Sequence, residues 1–233
     1  MKFISYASGS TGNLYSVSDG KTHILLECGL PYGEMQKLTG HILTTFDACL
    51  LTHEHGDHAK GGEYLYMIGT PIYTSKGTAE AIKLPTHEHG KNVIQSGITF
   101  WINTMRIMPF SVEHDAADPL GFLIHSTIDD DMFVFATDTF YLKHRFPAVT
   151  IFAIECNYAH DLIGDCPYQD RLFQSHMSLQ QCIDTLKAND LSRCREIHLL
   201  HLSDSHSDEA RFVREVQSEF CIPTYAAPKR IKP

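Results

Sequence analysis

Thr52-His53-Glu54-His55-Gly56-Asp57-His58 decides how this chain is read. Three imidazoles and the Asp57 carboxylate are packed into this short stretch, between the apolar run Ala48-Cys49-Leu50-Leu51 and a glycine-rich turn at Gly61-Gly62. Borderline metals such as zinc favour neutral imidazole and carboxylate oxygen, so four such donors on one loop can serve two neighbouring ions. Alternate residues of an extended segment point the same way. His53 and His55 are therefore expected to grip one ion. Asp57 and His58, beyond the turn at Gly56, are expected to reach a second.

The chain carries its own control. Thr86-His87-Glu88-His89-Gly90 repeats the first part of the motif, but Lys91 and Asn92 follow where an aspartate and a histidine are needed. The first copy follows a short apolar run of strand character, whereas the second follows Leu84-Pro85, a turn signal. The second copy is read as solvated surface.

At 233 residues the economical reading is one domain, 1–233, of packed layers around a substantial core. Hydrophobic content of 43% and charged content of 20% are ordinary for a soluble globular chain. No apolar stretch has the length of a membrane span, and Met1-Lys2-Phe3-Ile4-Ser5 has no signal-peptide character. Cys28, Cys49, Cys156, Cys166, Cys182, Cys194 and Cys221 are scattered without a Cys-x-x-Cys pair, which points to a reducing cytoplasm. The net charge of −9 disfavours long nucleic acid, whose partners usually carry a basic patch. The one basic cluster is Lys229-Arg230-Ile231-Lys232. A bound pair of divalent cations would add about four positive charges at the site, so a small anionic substrate remains welcome.

Strands are expected over residues 2–7, 13–17 and 23–27, separated by Ser8-Gly9-Ser10-Thr11-Gly12 and Asp19-Gly20. A short helix is expected from Pro31 to about Gly40, others over 61–68 and 78–84, and a strand over 71–74. Strand patterning returns from Ile98 to Thr137, with Asp129-Asp130-Asp131 as a solvated hairpin tip rather than a calcium loop. Residues 149–154 and 197–202 read as buried strands. Leu179, Cys182, Ile183 and Leu186 share one helical face, with Ser178 as N-cap and Gln181 closing a capping box. Phe212, Val213, Val216 and Phe220 form the apolar face of the last helix. Strands and helices mix in two similar halves, which suggests helices outside a two-sheet core.

Three further residues follow the first motif in series: His114 in Val112-Glu113-His114-Asp115, Asp138 in Phe135-Ala136-Thr137-Asp138-Thr139, and His201 in Leu199-Leu200-His201-Leu202-Ser203. With these in place the chain resembles the metallo-β-lactamase-fold hydrolases, an α/β class built as an αββα sandwich, over nearly its whole length. The resemblance implies that His53, His55 and His114 bind a first ion, that Asp57, His58 and His201 bind a second, and that Asp138 bridges them. It implies two divalent ions per subunit, zinc by default, with manganese the alternative where carboxylates bridge.

Chemistry within that superfamily is divided, so fold alone does not assign function. Ser175-His176-Met177-Ser178, ahead of the capped helix, resembles the His-x-Ser/Thr element of the transfer-RNA 3′-processing nucleases and their relatives, whose extra histidine faces the scissile phosphate. A histidine just before a helix N-terminus sits near free N–H groups and the positive end of the dipole, a suitable setting for phosphate. The opening Ala7-Ser8-Gly9-Ser10-Thr11-Gly12-Asn13, with Leu200-His201-Leu202-Ser203, resembles the small bacterial exonucleases associated with cell-wall signalling. It is equally similar to the phage anti-Pycsar cyclic-nucleotide phosphodiesterases. Asn157-Tyr158-Ala159-His160-Asp161 departs from the contiguous Asn-His-Asp of the exonuclease pattern.

The reading is a two-metal phosphodiesterase for a small nucleotide, foremost a 3′,5′-cyclic nucleotide. Asp57 and His176 are its expected catalytic residues, and Ser203, Asp204 and His206 its candidate substrate contacts. That polar cluster would equally well cap a helix starting near Ser207. The phage branch implies a homodimer. The alternative is a DNA or RNA exonuclease of the same fold; a metal-binding module without turnover is disfavoured by the full set of ligand positions.

Overall fold

The computed structural model describes residues 1–82, 91–164 and 169–230. Two sheets lie at its centre. The first joins β1 (Lys2–Ala7), β2 (Leu14–Ser18), β3 (His23–Leu26), β4 (Ala48–Leu50), β5 (Ile72–Thr74) and β6 (Lys91–Val93) in that order. The second runs from β7 (Phe100–Ile102) through β8 (Met105–Ser111), β9 (Leu120–Ser126), β10 (Met132–Ala136), β11 (Ile151–Glu155) and β12 (Glu196–Leu200) to β13 (Thr224–Ala226). Each sheet is antiparallel at one end and parallel at the other. β1, β2 and β3 pair antiparallel and β3 to β6 parallel; β7 to β10 pair antiparallel and β10 to β13 parallel.

Composition explains which strands lie deepest. β10 (MFVFA) and β11 (IFAIE) are almost continuously apolar, as strands covered on both faces must be. Phe3, Tyr15 and Leu26 of the first sheet meet Phe122, Phe133 and Phe135 of the second to form the central core. Fully burying each such side chain contributes about 1.5–3 kcal/mol.

Helices cover the outer faces. They are α1 (Tyr32–Leu38), α2 (Gly56–Ala59), α3 (Gly62–Met67), α4 (Lys76–Ala81), α5 (Gln169–Ser175), α6 (Leu179–Lys187) and α7 (Glu209–Phe220). Met35 and Leu65 pack on the first sheet against Leu25, Cys49 and Ile72. Cys182, Leu186, Phe212 and Val216 pack on the second against Phe152, Ile154 and Leu199. The order is helix, sheet, sheet, helix, as expected. No helix among the described residues is long and apolar enough to cross a membrane.

Local chemistry accounts for several differences from expectation. The helix expected to begin at Thr78 begins at Lys76, because Ser75 Oγ accepts the Thr78 N–H and caps it earlier. The Ser178–Gln181 capping box is present in both directions. The last helix is capped by Asp208, not by Ser203, Asp204 or His206: the Asp208 side chain accepts the Arg211 N–H, while Ser203 Oγ accepts the N–H of His206 within its own turn. Helices α2 and α5 and strands β6 and β13 were not expected: Asp57 and His58 sit on the four-residue helix α2 rather than on a loop, and elements this short display no period. His176 consequently follows one helix as well as preceding another, and its N–H closes α5 by donating to Leu172 O at 3.0 Å. It is not a free donor for an anion. The partial copy Thr86–Gly90 and Cys166 lie outside the described residues.

Candidate metal centre and adjoining cavity

The site is assembled where parallel strands end. His53 follows β4, Asp138 follows β10, Glu155 ends β11 and His201 follows β12. Glu27, Asp138 and His201 each leave their strand with positive φ, at 63°, 46° and 52°. For residues with a Cβ this costs on the order of 1–3 kcal/mol each, and such strain collects where geometry serves function. The sharp exits aim these side chains at one point.

His55 Nδ1 and His114 Nε2 face each other at 3.2 Å, and His53 Nε2 lies 3.9 Å from Asp138 Oδ2. Across Asp138, His58 Nε2 lies 3.2 Å from Oδ2 and His201 Nε2 lies 3.8 Å from Oδ1. Asp57 Oδ2 stands 3.5 Å from both His58 Nε2 and His201 Nε2. His53, His55 and His114 make one group of converging donors and Asp57, His58, Asp138 and His201 another, with the donors within each group inside 4.8 Å of one another. All seven expected ligand positions converge, and Asp138 of the second group also faces the first, its Oδ2 3.9 Å from His53 Nε2 and 3.7 Å from His114 Nε2.

The donor set fits divalent cations. His53 Nε2 and His201 Nε2 are buried and lack a hydrogen-bond partner, although an unmet buried polar atom costs about 1–3 kcal/mol. Metal–ligand bonds of about 2.0–2.1 Å in tetrahedral geometry place donors roughly 3.4 Å apart, within the 3.2–3.9 Å range of the separations above. The opposite faces of the rings are held: His53 Nδ1 lies 2.8 Å from Thr52 Oγ1, and His114 Nδ1 lies 2.9 Å from Ser175 O. Fixing the far nitrogen orients the ring toward an ion.

Charge is concentrated here. Burial opposes ionisation of His201, yet Asp138, Asp57 and Glu155 push it up to about 10. His58 is likewise raised against burial, by Asp138 and Glu27. The carboxyls of Asp57 and Asp138 stay well below the usual range, because their histidine neighbours outweigh burial. Cations compete with protons for such donors, so ion capture must release protons.

Several supporting residues carried no signal in the sequence. Glu155 is fully buried; its Oε1 lies 2.6 Å from His176 Nδ1 and 3.5 Å from His201 Nδ1, and its Oε2 accepts the Thr139 N–H at 2.7 Å. Burial lowers His176, but Glu155 more than offsets it and raises its pKa. Glu27 Oε2 lies 3.5 Å behind His58 Nδ1. Asn157 Nδ2 donates to His201 O at 2.7 Å and lies 3.1 Å from Nδ1, so the segment that departs from the exonuclease pattern supports a candidate ligand. A lone glutamate at a strand end has no spacing to distinguish it. Only folding brings these groups behind the histidines.

Beside the cluster lies a cavity of about 440 Å³, lined by Ser10, His176, His201 and the turn Leu202-Ser203-Asp204-Ser205-His206. The candidate contacts Ser203, Asp204 and His206 all border it. Lys229 Nζ ties that wall down, donating to Ser203 O at 2.9 Å and pairing with Asp204 Oδ1 at 3.2 Å.

A four-layer αββα sandwich with convergent histidines and aspartates at its strand ends is the metallo-β-lactamase fold. The chain belongs to the family of the beta-lactamase superfamily domain, whose model matches residues 22–199. It is 28% identical over 225 residues to exodeoxyribonuclease WalJ of Streptococcus pneumoniae, covering 88% of this chain and 83% of that protein. It is 26% identical over 227 residues to exodeoxyribonuclease YycJ of Bacillus anthracis, covering 91% and 80%. The metallo-β-lactamase fold protein YhfI of Bacillus subtilis superposes with a TM-score of 0.77 at 18% identity, over 98% of this chain and 96% of that one.

Proposed function

We propose that the chain is a metal-dependent phosphodiester hydrolase that opens small 3′,5′-cyclic nucleotides. The observation that carries the reading is the cavity of about 440 Å³ directly beside His176 and His201. Ligand pockets for small molecules start at about 300 Å³, so this one suits a single nucleotide. The net charge of −9 also favours a small substrate. His53, His55 and His114 would hold one ion and Asp57, His58 and His201 the other, with Asp138 between them. Zinc is the first choice for so many imidazoles, and manganese the second. When bound, such a pair supplies a nucleophile at neutral pH and neutralises charge on the phosphate oxygens.

The chain's own residues supply the rest. Asp57 orients the attacking water. His176, with Nδ1 on Glu155 and its ring reaching the cavity, keeps a proton ready for the departing ribose oxygen. Ser203, Asp204 and His206 contact base or ribose. A second copy of the chain is proposed as the partner. The cysteines among the described residues are free, which supports a reducing, cytoplasmic setting.

A second reading is an exonuclease using the same donors and the same His176. The names of the curated relatives, both exodeoxyribonucleases, favour it. Metal-loaded protein incubated with cyclic mononucleotides, bis(p-nitrophenyl) phosphate and labelled single- and double-stranded DNA separates the two. Ring opening without DNA degradation supports the first reading; DNA degradation without ring opening selects the second.

A further inference from the structure

Behind the second group of donors runs a line of buried hydrogen bonds that links residues far apart in sequence. The His201 N–H donates to Ser8 Oγ at 2.8 Å, and Ser8 Oγ lies 2.6 Å from the Tyr15 hydroxyl. Tyr15 donates to Asn13 Oδ1 at 2.9 Å. Asn13 Nδ2 then donates back to Gly9 O at 3.1 Å and lies 3.1 Å from Asp57 O, 3.4 Å from Asp57 Oδ2 and 3.0 Å from His58 Nε2. Ser8, Asn13 and Tyr15 are all buried.

The direction of this line is determined. Asn13 Oδ1 also accepts the Gly9 N–H at 2.9 Å, so the amide cannot flip and its nitrogen must face Asp57 and His58. Tyr15 gives its proton to that oxygen and must therefore accept from Ser8. Ser8, having given its own proton, accepts from His201. Each hydroxyl donates once and accepts once, so one arrangement satisfies both hydroxyls. Burial also raises the Tyr15 phenol well above its ordinary range, which keeps the proton it must give. Backbone bonds reinforce the far end: the Asn13 N–H donates to Asp57 O at 2.8 Å.

The first group has no part in this line. His53 and His114 are steadied by Thr52 Oγ1 and Ser175 O instead. We propose that Ser8, Tyr15 and Asn13 form a positioning relay that presets Asp57 and His201, and so governs capture of the second ion independently of the first. The proposal rests on the two-ion reading above. The relay residues are not themselves ligands; they hold the backbone of His201 at one end and the backbone and carboxylate of Asp57 at the other.

Tyr15→Phe tests it with the smallest change, removing one oxygen while the ring keeps its contacts with Phe3 and Phe135. Ser8→Ala breaks the line at its other end. The readout is stepwise zinc affinity of the full chain, measured by chelator competition. The wild type should bind two ions. In both variants the first step should stay within about threefold of wild type and the second should weaken about 10–100-fold, the usual effect of removing a partner behind a ligand. Thr52→Ala should do the reverse and weaken the first step. Unchanged second steps, or both steps falling together in each variant, would overturn the relay. A wild type binding fewer than two ions would instead overturn the two-ion reading on which it rests.

Discussion

Glu155 Oε1 lies 2.6 Å from His176 Nδ1, and the same oxygen lies 3.5 Å from His201 Nδ1. One buried carboxylate thus steadies both the ring on the cavity wall and a candidate metal ligand. This places the proposed proton donor and the proposed second ion site in a fixed relation, with β11 as their common support.

Removing the ring should separate chemistry from metal binding. His176→Ala is expected to lower phosphodiester turnover by about 100-fold or more, the ordinary scale of a general acid, while metal content stays at the wild-type level. Steady-state kinetics with elemental analysis checks both halves. Intact turnover would remove His176 from the mechanism.

Glu155→Gln should behave differently. The amide keeps the shape but loses the charge that holds the His176 proton, and it weakens support for His201 as well. Turnover should fall, and second-ion affinity should fall with it. A variant that loses turnover alone would confine Glu155 to His176.

Gly29 is where two segments of the site touch. A Cβ built there would stand 1.6 Å from Asp57 O, so the backbone carrying Asp57 can approach only because residue 29 has no side chain. Gly29→Ala should cost about 3 kcal/mol or more, at the upper end of single substitutions, or displace Asp57. Urea unfolding of the metal-free chain measures the cost. A change below about 1 kcal/mol would mean the contact relaxes freely.

Acid stability should depend on Asp131, far from the site. Burial works to raise its carboxyl, but paired hydrogen bonds from Arg195 at 2.6 and 2.8 Å and the neighbouring Met1 ammonium prevail and bring it down to about 2. A lowered folded-state value means that the ionised group stabilises the fold above its ordinary value near 4, and that this contribution is lost as pH falls through about 2. Thermal unfolding between pH 5 and 2 should therefore show a steeper loss in the wild type than in Asp131→Asn. Parallel curves would contradict it.

The histidine motif was legible because its chemistry is local: several donors share one loop, and their spacing has few other meanings. His114, Asp138 and His201 were legible only in series behind it and through resemblance. Glu27, Glu155 and Tyr15 were not, since a single glutamate at the end of a strand or a tyrosine within one reads as ordinary until folding sets it against its partners. The long strands and the Ser178 capping box could be read from period and cap chemistry. Strands β6 and β13 could not, because pairing with neighbours, rather than their own pattern, makes them strands.

The central claim is a pair of ions held between the two groups of donors, and anomalous diffraction from crystals grown with zinc or manganese tests it most directly. The account predicts two peaks about 3.5–4 Å apart, one against His53, His55 and His114, the other against Asp57, His58 and His201, with Asp138 between them. A single peak, or peaks away from these residues, would contradict it.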